Sequence, residues 1–347
     1  MEFNVYDALS LPYEEWKKLV TEAWNEPRFR ADQICQWIYV KKVFDPHAMT
    51  NLSKTLRDRL LHESLTKVPI QIREQKSRDG TRKYLWQLED GNRVESVLLD
   101  HGGHTTACLS SQVGCPLACV FCATGQSGYV RDMSVGEIVG QFLLMEQRLG
   151  RDVSNVVFMG MGEPLLNVES VFESIRILNH PKMRNLGGRH ITVSTSGIVP
   201  GIRDLADFEI PVRLSVSLHA PNDALRGKLM PVNRQYSLSA LVEALHFYKK
   251  RTGERITIEY LLIDGVNDDP QLVYEMAALL DGLGVYVNVI PWNPVSVGKA
   301  AGMQRSPEGR VKAFCAALTD LKIEFEIRRE KGTDIQAACG QLAATAK

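Results

Sequence analysis

Three cysteines within eight residues, Cys115-Pro-Leu-Ala-Cys119-Val-Phe-Cys122, form the stretch with the most reactive chemistry in the chain. A closed structural zinc site takes four protein ligands, usually from paired C-x2-C knuckles, whereas this C-x3-C-x2-C run offers three. A cubic four-iron cluster held by three thiolates keeps one iron open to another ligand. The spacing therefore points to an open [4Fe–4S] cluster. A loop of incidental buried cysteines, or part of a zinc site completed from elsewhere, is the alternative. Further along, Gly160-Met-Gly162-Glu163-Pro164 pairs backbone able to approach a ligand closely with a carboxylate able to accept hydrogen bonds from an ammonium group. Taken alone it also reads as a tight turn.

The elements that position these groups show in the hydrophobic period. Residues 1–65 read as a small helical unit: Trp16, Leu19, Val20 and Ala23 recur at helical spacing, as do Ile34, Trp37 and Ile38, and a third helix starts near Ser53 with Leu56 and Leu60 inward. Between Ile70 and Leu99 the period changes to two, with Asp79-Gly80 and Asp90-Gly91 as turns, so residues 66–104 are expected to form a three-stranded antiparallel meander linking two domains. On its last strand Glu95 shares a face with Val97 and Leu99. A carboxylate among apolar neighbours suits a general base, although an edge-strand acid in solvent fits the same pattern.

From 105 to 347 strands alternate with helices, the pattern of a parallel sheet with crossover helices. Six strands are expected, ending near Cys108, Met159, Ser194, Leu218, Ile263 and Ile290, with helices opened by the capping box Ser134…Glu137 and by Ser237, Asp269-Pro270 and Ser306-Pro307. A full eight-stranded barrel would need more chain. In such folds chemistry sits at the carboxyl ends of the strands, where Glu163, Ser194, Ser217, Leu218, His219 and Asn293 all fall. Each singly reads as strand-end capping; their recurrence at successive ends is harder to dismiss. The Gly/Pro-rich run 291–305 is expected to loop over that face. Cys315 and Cys35 read as core.

The chain has 347 residues, 44% of them hydrophobic, enough for a sizeable core and a small accessory domain. It has no apolar run long enough for a membrane helix and no basic-then-apolar start, so no membrane contact and a cytoplasmic location are expected. Seven cysteines, an odd number, read as reduced thiols and ligands rather than a disulfide framework. Net charge is zero, with 41 basic and 41 acidic side chains, so any nucleic-acid site is a local patch. Between Asn51 and Lys83, nine Lys or Arg stand against four acids, an excess of five able to attract phosphates. A solvated charged face is the alternative.

The cysteine loop with Phe121 before its last thiol, the preceding Cys108-Leu-Ser-Ser-Gln-Val-Gly, the Gly160-Met-Gly-Glu-Pro-Leu165 segment and the terminal Asp334-Ile-Gln-Ala-Ala-Cys339-Gly-Gln-Leu342 together resemble the RlmN/Cfr family of radical-SAM RNA adenine methyltransferases over essentially the whole chain. The resemblance implies a six-stranded partial (β/α) barrel, a [4Fe–4S] cluster on Cys115, Cys119 and Cys122, and S-adenosylmethionine (SAM) held by Gly162, Glu163, Ser194, Ser217, Leu218, His219 and Asn293. It implies a methyl-accepting Cys339, whose small neighbours Ala337, Ala338 and Gly340 leave room for a methyl group and a planar base, and a resolving Cys108. It also makes Glu95 the proton acceptor, since the family's glutamate lies thirteen residues before the first cysteine of its motif, as Glu95 does before Cys108. The implied partners are 23S rRNA and tRNA, gripped in part by the N-terminal unit, and a one-electron donor such as flavodoxin, with the enzyme acting as a monomer. The segments around Cys115 and Cys339 look closer to members that methylate C2 of adenine than to those that methylate C8. A radical-SAM enzyme with a small-molecule substrate would need neither Cys108 nor Cys339, and a zinc-stabilised RNA-binding protein would be colourless.

Overall fold

The computed structural model describes residues 6–65, 68–295, 300, 302–328 and 330–343. Lys67 of the basic stretch, residues 296–299 and 301 of the expected long loop, and residues 1–5 on which the signal-peptide reading rests lie outside them.

The chain opens with β1 (Tyr6–Asp7), α1 (Tyr13–Lys18), α2 (Phe29–Cys35), α3 (Lys54–Glu63) and β2 (Ser64–Leu65). Ser53 caps α3, its hydroxyl accepting from Leu56 N–H at 3.2 Å. Both α1 and α2 run on into five-residue π turns, Leu19–Ala23 and Gln36–Val40. The wider turn moves the buried stripe away from the 3.6-residue expectation. Trp24 and Tyr39 go inward while Ala23 is exposed and Trp37 half-buried, its indole N–H donating to Asn51 and its ring under Lys41. Cys35 is fully buried.

The meander is β3 (Ile70–Lys76), β4 (Arg82–Gln87) and β5 (Arg93–Asp100). It is the antiparallel end of one large sheet rather than a separate connector, because β5 pairs with β6 (Thr105–Cys108), setting Val97 opposite Cys108. The chain continues through β7 (Gln112–Gly114), α4 (Ala123–Gln126), β8 (Tyr129–Asp132), α5 (Val135–Leu149), β9 (Asn155–Phe158), α6 (Val168–Asn179), β10 (Ile191–Thr195), α7 (Val199–Ala206), β11 (Arg213–Ser217), α8 (Asp223–Leu229), α9 (Leu238–Thr252), β12 (Ile256–Leu262), α10 (Gln271–Leu279), β13 (Tyr286–Pro291), α11 (Glu308–Asp320) and β14 (Glu324–Ile327). The ten-stranded sheet has the order β14-β13-β12-β11-β10-β9-β6-β5-β4-β3.

From β6 to β14 seven strands run parallel, one more than expected. The extra strand, β14, escaped notice because Glu324-Phe-Glu-Ile327 is a short, largely exposed edge strand whose alternation is carried by two acids. Ser134 and Glu137 form the expected capping box at α5, and Cys315 is buried on α11. Pro270 and Pro307 stand at the N-cap positions of α10 and α11 rather than inside the first turn, and Ser306 does not cap. The N-terminal unit sits against α5: the buried Glu146 carboxylate meets Lys42 at 3.4 Å and Arg184 at 2.6 Å, and Tyr13 stacks on His180 at 4.5 Å.

Candidate active site

The cysteine loop follows β7 and is shaped by backbone constraints. Gly114 has φ of 78°, and a Cβ there would stand 2.0 Å from Gly128 O, so only glycine lets β7 close on the residue whose carbonyl accepts from Cys115 N–H at 2.8 Å. Ala118 is left-handed at 52°, which turns the chain between the first two thiols. Val120 N–H donates to Leu229 O, and Trp292 donates its indole N–H to Phe121 O. These bonds fix the loop over the carboxyl ends of the strands.

Cys115, Cys119 and Cys122 line one cavity of about 930 Å³ together with Gly162, Glu163, Ser194, Ser217, His219 and Cys339. Burial pushes the Cys115 thiol up to about 12 and raises Cys119 and Cys122 as well. Metal coordination reverses that balance by deprotonating a ligating thiol. Among the described residues no group of Cys, His, Asp or Glu is arranged around a single metal ion. A four-iron cube asks for a different arrangement, three thiolates each on its own iron, and the three thiols at one cavity wall fit it.

Glu163 is 2% exposed, and both of its oxygens face backbone donors: Oε1 accepts from Leu165 N–H at 3.1 Å and Oε2 from Ser196 N–H at 2.7 Å. Burial raises its pKa, against the pull of those bonds. The glycines before it are required by packing of the protein on itself. A Cβ at Gly162, where φ is 102°, would lie 2.6 Å from Gln112 Cβ, and one at Gly160 would lie 2.6 Å from Leu109 O. His219 is left-handed (φ 58°), stands edge-on to Phe121 with ring centroids 4.9 Å apart, and accepts from Leu261 N–H at Nδ1, which puts the ring proton on Nε2. Burial, with Arg226 nearby, drives its pKa down to about 3, so the imidazole is neutral.

Two of the expected SAM residues do not line this cavity. Leu218 is buried, its N–H committed to Glu259 O and its carbonyl to Arg226. Asn293 lies in a second, neighbouring cavity of about 1590 Å³, where its buried Oδ1 has no hydrogen-bond partner. Sequence reading also passed over residues that organise the site. Arg226, fully buried on α8, donates to Leu218 O, Asn233 Oδ1, Ser196 O and Ser217 O, clamping the ends of β10 and β11. On β12, Glu259 is buried in the cavity wall, accepting from Ser215 and Asn288 through Oε1, with Oε2 3.6 Å from Arg328. An arginine inside Asp223–Leu229 looks like any surface helix charge, and Glu259 is one acid in an apolar strand.

Cys339 is exposed and lines both cavities; Cys108 lines the second. Arg328 lines both as well, its pKa raised by Cys339 first and, against burial, by Glu259 and Cys108. Burial pushes the Cys108 thiol up to about 12, Cys339 raising it further and Arg328 opposing. The fold thus brings Cys108, Cys339 and the cluster cysteines together, with no disulfide among them. It does not place Glu95 with them. Glu95 is in a separate pocket beyond the C-terminal segment, and its neighbour there is not apolar: Lys83 Nζ lies 3.1 Å from Oε1. The apolar alternation of β5 hid this cross-strand ion pair.

Residues 109–277 match the Radical SAM superfamily, and residues 7–65 match the ribosomal RNA large subunit methyltransferase N-terminal domain. A probable dual-specificity RNA methyltransferase RlmN from Thermotoga neapolitana is 50% identical over 96% of each chain, and one from Petrotoga mobilis is 46% identical over 96% of this chain and 95% of its own. The crystal structure of a radical SAM methyltransferase from Sphaerobacter thermophilus superposes with a TM-score of 0.94 at 42% identity, covering 98% of this chain and all of that one. No helix among the described residues is long and apolar enough to cross a membrane. The chain belongs to the RlmN family of radical-SAM RNA methyltransferases, enzymes that use a [4Fe–4S] cluster and S-adenosylmethionine.

Proposed function

We propose that this enzyme methylates C2 of an adenosine in 23S rRNA and of the adenosine beside the anticodon in tRNA, by way of a methylated Cys339. The observation that carries this reading is the position of Cys339, an exposed thiol shared by the cavity of the cluster cysteines and the cavity of Cys108. The relatives' dual-specificity name supports the two RNA classes, and the Ser-Ser-Gln-Val-Gly before Cys115 and the Ala-Ala-Cys339-Gly-Gln-Leu ending support C2.

In this reading Cys115, Cys119 and Cys122 hold the cluster, and Gly162, Glu163, Ser194, Ser217 and His219 hold SAM, with Leu218 and Asn293 reaching it only after a shift. When bound, these groups supply a methyl donor and a one-electron route to a hydrogen-abstracting radical, and a flavodoxin-type donor provides the electron. Cys339 carries the methyl group as a thioether. Once one hydrogen atom is removed, its methylene carbon bonds to the electron-poor ring carbon. The adduct returns one electron to the oxidised flavodoxin-type carrier and gives up its ring proton, the proton passing to Glu95 and the C–H electron pair staying in the ring. Cys108 then attacks Cys339 sulfur as its thiol proton is lost: an S–S bond forms, the C–S bond breaks, and its electron pair stays on carbon, which takes a proton to become methyl. The resulting disulfide needs two electrons to reset.

The N-terminal unit and meander are assigned to RNA backbone. Of the basic residues between Asn51 and Lys83, Lys54, Arg73, Lys76 and Arg78 are exposed, while Arg59 and Arg82 are paired with Glu63 and Glu74. The test is twofold. Mass spectrometry of digested product RNA should show 2-methyladenosine, and 8-methyladenosine as sole product would overturn the C2 assignment. Cys108→Ala should stall with RNA attached to the protein, whereas Cys339→Ala should never attach; a Cys108→Ala enzyme turning over like the parent would remove the role given to both cysteines.

A further inference from the structure

The Glu95 carboxylate and the segment that carries Cys339 share a neighbour that neither sequence pattern nor family resemblance singled out. On β4 and β5, Lys83 pairs with Val97 and Leu85 with Glu95, so Lys83 and Glu95 are diagonal neighbours on one face. Both side chains are buried, 7% and 10% exposed, and Nζ stands 3.1 Å from Oε1. The same ammonium donates to Gln336 O at 3.2 Å, and Ala343 N–H donates to Glu95 Oε2 at 3.0 Å. Gln336 and Ala343 bracket Cys339 on one strap.

That strap is fastened elsewhere too. Gly332 N–H donates to Asp79 at 2.8 Å, Ala123 N–H to Gly340 O at 2.7 Å, and Thr124 to Leu342 O at 2.6 Å. It forms a partition. Gln336, Gln341 and Ala343 face the Glu95 pocket, and Ala337, Ala338 and Leu342 face the cavity of Cys108. For Glu95 to reach a ring proton beside Cys339, the strap must release Oε2 while the carboxylate stays in place.

We infer that Lys83 is a positioning residue for the proton-transfer step, tying the Glu95 carboxylate and the Cys339 strap to one point so that acceptor and adduct stay in register. This rests on the reading of Glu95 as proton acceptor. In the step concerned the ring C–H bond breaks, the proton goes to Glu95 and the electron pair remains in the ring. Lys83 exchanges no proton with the base; it fixes where the acceptor stands. A positioned acceptor contributes through its geometry, and a small misplacement is costly.

The experiment compares anaerobic holoenzyme carrying Lys83→Met, Lys83→Arg or Glu95→Gln on RNA substrate, with adenosine either protiated or deuterated at the methylated ring carbon. Lys83→Met should keep its cluster absorbance and form the RNA adduct, release product about ten- to a hundred-fold more slowly, and show a larger deuterium isotope effect than the parent. Lys83→Arg, which keeps the cation, should recover most of the rate. A merely structural ion pair would leave the isotope effect unchanged, and that result, or unchanged release, overturns the inference. If Lys83→Met loses its cluster, Lys83→Gln carries the same comparison, since it removes the charge but keeps a donor for Gln336. Glu95→Gln separates the two levels: parent-like turnover there overturns the acceptor reading itself, whereas a stalled Glu95→Gln beside a normal Lys83→Met overturns the Lys83 role alone.

Discussion

Replacing Arg226 with Met should damage the site from behind, without touching a cluster ligand. The guanidinium is fully buried and donates to three backbone carbonyls, at 3.1 Å to Leu218, 2.6 Å to Ser196 and 3.1 Å to Ser217, and at 2.9 Å to Asn233 Oδ1. Burial lowers its pKa to about 10, so it is a cation at neutral pH. Met fills much of the volume but supplies no donor, and each buried acceptor left unmade costs about 1–3 kcal/mol. Partial relaxation and shared partners bring the expected total to about 3–5 kcal/mol, a large part of the roughly 5–15 kcal/mol that holds a typical domain folded. Because Ser196 N–H also holds Glu163 at 2.7 Å, loosening Ser196 should weaken SAM binding as well. Anaerobic urea unfolding followed by tryptophan fluorescence gives the first quantity, and equilibrium dialysis with SAM the second. Arg226→Lys should fall between, since one ammonium cannot reproduce a planar fork. An Arg226→Met enzyme within about 1 kcal/mol of the parent, no more than the least cost of a single orphaned acceptor, and binding SAM equally would refute the clamp.

Two further outcomes follow from buried titrating groups. His219 has a folded pKa near 3, below its unfolded value, so the unfolded chain binds the extra proton and stability falls as pH drops from about 6.5 toward 3. Between pH 7 and 5 the loss from this residue is about 2 kcal/mol, and His219→Gln should flatten that part of the unfolding profile; an unchanged slope would contradict the neutral, buried imidazole. Because Cys339 is exposed while burial pushes Cys108 up to about 12, iodoacetamide at neutral pH should label Cys339 well before Cys108 or Cys35. Peptide mass spectrometry reads the order, and labelling of Cys108 as fast as Cys339 would contradict it.

Strand-end chemistry was legible because period and punctuation agree there: the strand patterns end near Met159, Ser194, Leu218 and Ile290, and Gly160, Thr195-Ser196, His219 and Pro291 follow. The thiol spacing likewise survives any error in strand boundaries, since eight residues cannot spread far. What stayed hidden depends on pairings between distant residues. The β4–β5 register decides that Lys83 meets Glu95, and a lysine counted as a surface cation turns out to be buried against an acid. The two π turns shift Trp24 and Tyr39 inward for reasons a 3.6-residue template cannot register. Asn293 follows β13, where the sequence places it at a strand end, yet the cavity it enters is set by how residues 330–343 cross the sheet, which no local pattern specifies.

The route of the methyl group through Cys339 is tested most directly by its hydrogen count. Single-turnover reactions with SAM whose methyl group carries three deuteriums should be run on enzyme already methylated at Cys339 from that same donor, and the product nucleoside weighed. If the transferred carbon passes through a Cys339 methylene, one deuterium is lost to the abstracting radical and one hydrogen returns from solvent, so the RNA methyl group carries two deuteriums. A product retaining all three would mean direct transfer to the base and would contradict the role assigned to Cys339.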